Sequence, residues 1–456
     1  MATQGVAIVL VTTQRRDYKL IWLLSWPVML SNISQPLLGL VDIAVIGHLP
    51  DSRFLAAVAI GTTIFAFVYW SFGFLRMGTT GMIAQIVGAQ DGSANRTVLA
   101  QSLLLALVIA LLLIVLQQPI IEAALYLLAP DQQVMPQAQV YANIRIFGAP
   151  AVLCNYVLLG WFVGNQNTKV LLILLVGTNL LNIVLDVVAV NVLGMRAEGL
   201  AYATVISEYF GLFLALWYCR IMLRKVSGDI VYSALKQLKQ YYPIIKVNRY
   251  LFVRTILLLL AMSFFTAQGA KLGADTLAAN AVLMTFVMLI SHVLDGFAHA
   301  LEALTGKAIG GGDMGKFYQL VSAAAVYSLA VAVLFSLVFY LLGDIFIQLL
   351  TSIEAVQEIA SDYLPWLVAL PLIAVTSYLL DGVFIGATQV RVMQNAMLVS
   401  VGLVYFPVWY FTQHWLNHGL WIALLSLYAG RGITSCIGFY RLSKNRRWLP
   451  GTDQEN

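Results

Sequence analysis

Two aspartates lie inside apolar stretches, where a charge is expensive. Asp42 sits in GLVDIAVIG, residues 39–47, and Asp186 in GTNLLNIVLDVV, residues 177–188. Asn182 precedes Asp186 by four positions and therefore shares its helix face. A charged side chain at the centre of a bilayer costs about 2.5–3.5 kcal/mol on insertion scales, so such residues usually face a bundle interior and carry protons, ions or substrates. Thr204, a few residues past Gly199 on the next apolar segment, falls at a similar depth. Asp42, Asn182, Asp186 and Thr204 can therefore converge. Two carboxylates with amide and hydroxyl partners can share one proton, because neighbouring like charges do not both ionise readily. They can equally supply oxygen ligands to a small hard cation. The alternative is that Asp42 is a structural hydrogen-bonder between helices, and Asn179 reads as helix-packing glue of that kind.

The segment that holds Asp42 also contains Pro27 and Pro36, with Ser31, Asn32 and Gln35 between them. Proline removes a backbone hydrogen bond and kinks a helix, so this segment is expected to bend, either as a switch responding to the charge on Asp42 or as a static kink. Further acids lie in the second half of the chain. Asp295 and Glu302 are seven apart, hence on one face, and Asp381 opens DGVFIGATQV. These three are candidates for a substrate site or a second cation site, and pairing of Asp295 and Glu302 with Arg254 or Arg431 is the competing reading. Arg76 and Arg145 are intramembrane cations expected to pair structurally, with Glu208 as a partner for one of them. His292 and His299 flank Asp295 without a spacing that suits a metal, so no metal site is expected.

The elements that must position these residues are long apolar helices. With 61% hydrophobic and 10% charged residues over 456 positions, the composition is that of a polytopic membrane protein. Twelve spans can be drawn at 20–46, 56–87, 97–118, 138–163, 169–191, 199–223, 248–268, 277–306, 318–342, 362–386, 393–412 and 418–440. Lys and Arg concentrate on the face that carries both termini, which the positive-inside rule makes cytoplasmic in a cell (inner) membrane. The expected organisation is an N-terminal six-helix lobe over 1–223, a cytoplasmic loop over 224–247, and a C-terminal six-helix lobe with a short tail over 248–456.

The halves echo one another at an offset of 222 residues, most clearly in GWFVGNQNTK from Gly160 against GVFIGATQVR from Gly382. Like-oriented copies of six helices imply an all-α fold of two pseudo-symmetric lobes, the architecture of a transporter. The Asp42 position is Phe264 in the second half, so the copies have diverged chemically.

Several functions are disfavoured. No G-x-x-x-x-G-K-[ST] loop is present, so an ion gradient is the expected driving force. No nucleophile–base pair or H-E-x-x-H spacing supports an enzyme. The positive charges lie in loops, where topology explains them without nucleic acid. Cys154, Cys219 and Cys436 have no paired spacing and read as small core residues. No cofactor is expected beyond H⁺ or Na⁺ as coupling ion, and the chain is expected to act as a monomer on small-molecule drugs or organic cations within the lipid bilayer.

The stretches PVMLSNISQPLLGLVDIAVIGHL from Pro27, LAAVAIG from Leu55, FLRMGTTGMIAQIVGAQ from Phe74 and IRIFGAPAVLCNYVLLGWFVGNQNTK from Ile144 resemble the multidrug and toxic compound extrusion family along nearly the whole chain. DGFAHALEALTGKAIGGGD from Asp295 and DGVFIGATQV from Asp381 resemble its DNA-damage-inducible protein F-like branch. The resemblance implies twelve helices in two lobes and antiport of cationic or amphipathic drugs against H⁺ or Na⁺ by rocker-type alternating access. It also implies a coupling site at Asp42, Asn182, Asp186 and Thr204, with Pro27 as the bending proline. Leu38 stands where some members carry a tyrosine. Lipid-linked precursor flipping is the alternative; it calls for a cationic cavity, whereas acids here outnumber the arginines placed to face one.

Overall fold

A peptide group that enters lipid must satisfy its own hydrogen bonds, and long runs of Leu, Ile, Val and Ala do so as α-helices. The computed structural model describes residues 15–46, 52–129 and 131–449, with side chains over 15–34, 53–129 and 131–449. Among these residues there is no strand.

The first helix, α1, is Arg15–Ile46. Eleven further helical segments among the described residues are long and apolar enough to cross a membrane: α2 Arg53–Gly88, α3 Gly92–Val115, α4 Met135–Gly164, α5 Thr168–Val192, α6 Ala197–Leu223, α7 Leu238–Lys271, α8 Ala274–Gly310, α9 Met314–Leu350, α10 Glu354–Gly386, α11 Val390–Trp415 and α12 Asn417–Lys444. With α1 they make the twelve helices expected from the hydropathy. A shorter helix, Gln117–Leu128, follows α3.

The internal repeat is visible in backbone geometry. Asp91 caps the start of α3 by accepting from the Ala94 N–H at 2.8 Å, and Asp313 caps α9 by accepting from the Lys316 N–H at 2.8 Å. These caps are the same position in the two halves. The residue before each cap has positive φ, Gln90 at 57° and Gly312 at 74°, and so do Gln166 at 62° and Thr388 at 54° in the turns after α4 and α10. A tight turn that ends one helix and caps the next has been kept twice.

The glycine motif explains itself through helix contact. A methyl group on Gly160 would stand 2.4 Å from the Arg76 carbonyl oxygen, and one on Gly164 would stand 2.9 Å from that of Thr80. In the second half, a methyl on Gly382 would stand 2.4 Å from the Ala298 carbonyl oxygen and one on Gly386 would stand 2.5 Å from that of Glu302. Glycines thus let α4 lie against α2 and α10 against α8 with backbones nearly touching, which favours packing where lipid supplies no hydrophobic drive. Over-packing such a site costs about 1–3 kcal/mol. Gly382→Ala is therefore expected to lower the melting temperature of the purified protein. Gly177→Ala, where an added methyl meets nothing within 4 Å, is expected to leave it unchanged. Thermal unfolding of both variants in one detergent checks this, and equal melting temperatures would refute the close-contact reading.

The chain forms two compact units, one of residues up to Met29 with Lys246–Asn456, the other Leu30–Ile245. The boundary near residue 245 falls in the expected inter-lobe loop, while the boundary at 29/30 falls inside α1, two residues past Pro27. The first turns of α1 are held within the first unit. Asp17 accepts from Lys316 in a salt bridge, Tyr18 meets Tyr327 edge to face with ring centres 5.4 Å apart, and Gly296 leaves room for Met29.

Candidate functional site

In the second unit, α5 carries the buried polar face. Asn182 and Asp186 are 2% and 1% exposed, although α5 otherwise turns large apolar residues such as Leu180 and Val184 outward. The Asn182 Nδ2 donates to Asp186 Oδ2 at 3.0 Å, the i, i+4 contact expected of their spacing. Two residues beyond Asp186 the helix loosens into a π-helical turn, Val188–Val192, a feature that recurs at functional sites.

One hydrogen bond fixes where this face points. Asn179 Nδ2 donates to Ser34 Oγ at 3.0 Å, joining α5 to α1. Asp186 is seven residues on from Asn179, two turns along the same stripe, so the acid lies on the side of α5 that meets α1. Ser31 of α1 is fully buried, and Asp42 is eleven residues further on, three turns along its stripe. The backbone of Asp42 lies in α1, and its side chain lies outside the described residues, as does that of Pro36. Pro27 is buried in the helix. Thr204 is on α6, which packs against α5; its hydroxyl donates to the Leu200 carbonyl at 2.7 Å. The structure thus brings together Asn182 and Asp186 and places α1 and α6 beside their helix.

Each half also carries a buried ion pair between its fourth and sixth helices, with reversed polarity. In the second unit Arg145 of α4 donates to Glu208 of α6 at 2.9 Å, the partner expected from sequence, and its guanidinium lies over Phe65 and Tyr69 at 5.4 and 5.7 Å. In the first unit the acid is on α10 and the base on α12. Asp381 Oδ2 accepts from Arg431 at 2.7 Å and from Arg254 of α7 at 2.6 Å. Arg431 sits at the repeat position of Glu208, one residue of slip included. The arginines that sequence reasoning offered to Asp295 and Glu302 are therefore both on Asp381. A cation at that carboxylate would have to compete with two guanidinium groups.

Glu302 is 1% exposed on α8. Asp295, half-buried on the same face, lies close enough to the Tyr378 hydroxyl to act on it electrostatically. That hydroxyl is hydrogen-bonded to Ser291 Oγ at 2.5 Å, and the Arg431 guanidinium is 5.9 Å from the Tyr378 ring centre. Ser291, Tyr378, Arg431 and Asp381 are therefore one connected polar group.

The MatE family profile matches residues 27–188 and 251–411. Its first stretch begins at Pro27 and ends just past Asp186. DNA damage-inducible protein F of Escherichia coli K12 is 43% identical over 437 residues, covering 95% of this chain and 94% of that protein. The probable multidrug resistance protein NorM of Photorhabdus laumondii is 24% identical over 410 residues, 86% of this chain and 87% of that one. A solved outward-facing conformation of a multidrug resistance MATE family transporter of the MOP superfamily shares the fold with a TM-score of 0.83 at 21% identity, over 98% of each chain.

Proposed function

This chain belongs to the MatE family of multi-pass membrane transporters, and from that premise we propose that it exports organic cations or amphipathic drugs in exchange for H⁺, with Na⁺ as the competing coupling ion. The observation that carries this reading is Asp186, a buried carboxylate held by Asn182 on the face of α5 that meets α1. A carboxylate so placed gains most from a proton when its surroundings exclude water and a second acid is near. Asp42 is that second acid: from the Asn179–Ser34 contact, seven residues along α5 and eight along α1 both rise about 10–12 Å. Thr204 lines the same region from α6.

Coupling needs a backbone that can respond. Pro27 and Pro36 remove two of the hydrogen bonds of α1, and Pro27 lies next to the point where α1 leaves one compact unit for the other. Protonation of Asp42 then biases α1 between two bends, and alternating access follows from that choice. The termini and the basic loop lie on the cytoplasmic side in this reading. One-for-one exchange of H⁺ for a monovalent organic cation moves no net charge, so the pH gradient drives it, and each pH unit, about 1.4 kcal/mol, supports about a tenfold substrate gradient. Asp295 and Glu302 of α8 are the acids that would meet a cationic substrate in the C-terminal half, since the Asp381 carboxylate is shared by two arginines.

Uptake of an organic cation such as ethidium into everted vesicles tests the coupling ion, at several pH values, with and without sodium, for wild type and Asp42→Asn. A pH gradient alone should sustain uptake in wild type, and Asp42→Asn should not respond to it. Uptake driven by sodium alone would overturn proton coupling, and unchanged uptake by Asp42→Asn would remove that residue from the mechanism.

A further inference from the structure

The connection between α6 and α7 is a built strap over its first half. Ser93, Thr97 and Gln101 form one stripe at four-residue spacing along α3, and each holds the strap. The Asp229 N–H donates to Ser93 Oγ at 3.2 Å, the Val231 N–H to Thr97 Oγ1 at 3.1 Å, and Gln101 Nε2 to the Ala234 carbonyl at 3.1 Å. Arg96 closes the arrangement from the next face, donating to the carbonyls of Leu223 and Val226 at 2.5 and 2.8 Å. Gly92 is required here, because a methyl on it would stand 2.0 Å from the Ser227 carbonyl oxygen.

Beside the strap, between the start of α3 and the end of α6, lies a groove of about 440 Å³, within the range of small-ligand sites. Its walls are almost wholly apolar, with Leu99, Leu103 and Ile230 among them, and three arginines, Arg96, Arg220 and Arg224, stand among the lining residues. No carboxylate is among its lining residues. Arg96 is already committed to two carbonyls, which leaves Arg220 and Arg224 as the groups able to take an anion. Beyond the groove, α3 carries the same stripe toward the middle of the span. Arg96, Ala100, Leu103, Leu107 and Leu111 follow one another along α3 at helical spacing, and Leu107 and Leu111 are 40% and 58% exposed on the lipid-facing surface.

An anionic head beside arginines and a hydrocarbon tail along leucines describe one molecule. We propose that this groove binds an acidic phospholipid of the surrounding leaflet, with its phosphate on Arg220 and Arg224 and an acyl chain along Leu103, Leu107 and Leu111. Arginine suits phosphate because its planar fork donates two parallel hydrogen bonds. Basic residues at the end of a spanning helix also draw anionic lipid from the bilayer.

The test is native mass spectrometry of the purified full chain, incubated in detergent with equal amounts of phosphatidylglycerol and phosphatidylcholine of matched acyl chains. Wild type should retain phosphatidylglycerol several-fold over phosphatidylcholine. The preference should fall to near unity in Arg220→Gln/Arg224→Gln and persist in Arg441→Gln/Lys444→Gln, which removes two cations at the end of α12. Ala100→Trp fills the groove with every charge in place, so it should lower retention even if the double arginine variant fails to fold. Equal retention of both lipids by wild type, an undiminished preference in either groove variant, or displacement of the lipid by equimolar inorganic phosphate would overturn the proposal.

Discussion

Replacing Asp186 by asparagine is expected to reduce substrate export at least tenfold and to make what remains insensitive to pH, without unfolding the protein. The substitution keeps the shape of the side chain and leaves an oxygen to accept from Asn182, whose contact with Asp186 spans 3.0 Å. What it removes is the exchangeable proton. In wild type, acidifying the outer side loads the carboxyl with H⁺ and should speed export, and raising the outer pH should slow it. The variant should show neither response. A carboxylate that only joined helices would behave otherwise, because its replacement by an amide that keeps the hydrogen bond would leave transport intact. Asn182→Ala is the informative companion: it leaves the acid but removes its donor, so transport should persist with a displaced pH profile.

The largest loss of stability is expected at Asp381. This carboxylate, near the end of α10, accepts from both Arg254 and Arg431 at 2.6 and 2.7 Å. Removing the acid of a buried pair leaves its partners charged, which typically costs 3–5 kcal/mol, about the stability of a marginal protein. Asp381→Asn leaves two guanidinium groups without a counter-charge. Arg254→Gln or Arg431→Gln leaves a neutral pair in place and should cost less. The expected order of melting temperature is wild type, then either arginine variant, then Asp381→Asn, read by thermal unfolding in detergent. A transport defect in Asp381→Asn with a wild-type melting temperature would instead make Asp381 a cation site.

Much of this was legible in the residues. The twelve spans follow from hydropathy because a helix that crosses lipid must be apolar over about 20 residues, whatever it packs against. The repeat was legible through Gly160, Gly164, Gly382 and Gly386, since the close helix contacts they permit can be made by no other residue. Asn182 and Asp186 were legible as one face from spacing alone, and Arg145 with Glu208 from the scarcity of intramembrane charge.

The partners of Arg254 and Arg431 were not. They were offered to Asp295 and Glu302, and both are on Asp381, because the choice depends on how α7, α10 and α12 are rotated, which composition does not encode. The strap was hidden for a similar reason. Ser93, Thr97 and Gln101 are ordinary polar residues near a helix start, and only the fold brings residues 226–234 onto their stripe. The split of α1 at Met29 was invisible too, since Pro27 marks a weak point in a helix without saying what each side of it packs on.

The most direct measurement of coupling is proton movement itself, followed by a pH dye inside proteoliposomes when an organic cation is added outside. If the α1–α5 carboxylates exchange H⁺ for substrate, wild type should show substrate-dependent proton flux without sodium, and Asp42→Asn and Asp186→Asn should show none. Substrate flux with no accompanying proton signal in wild type, or an undiminished proton signal in both variants, would contradict it.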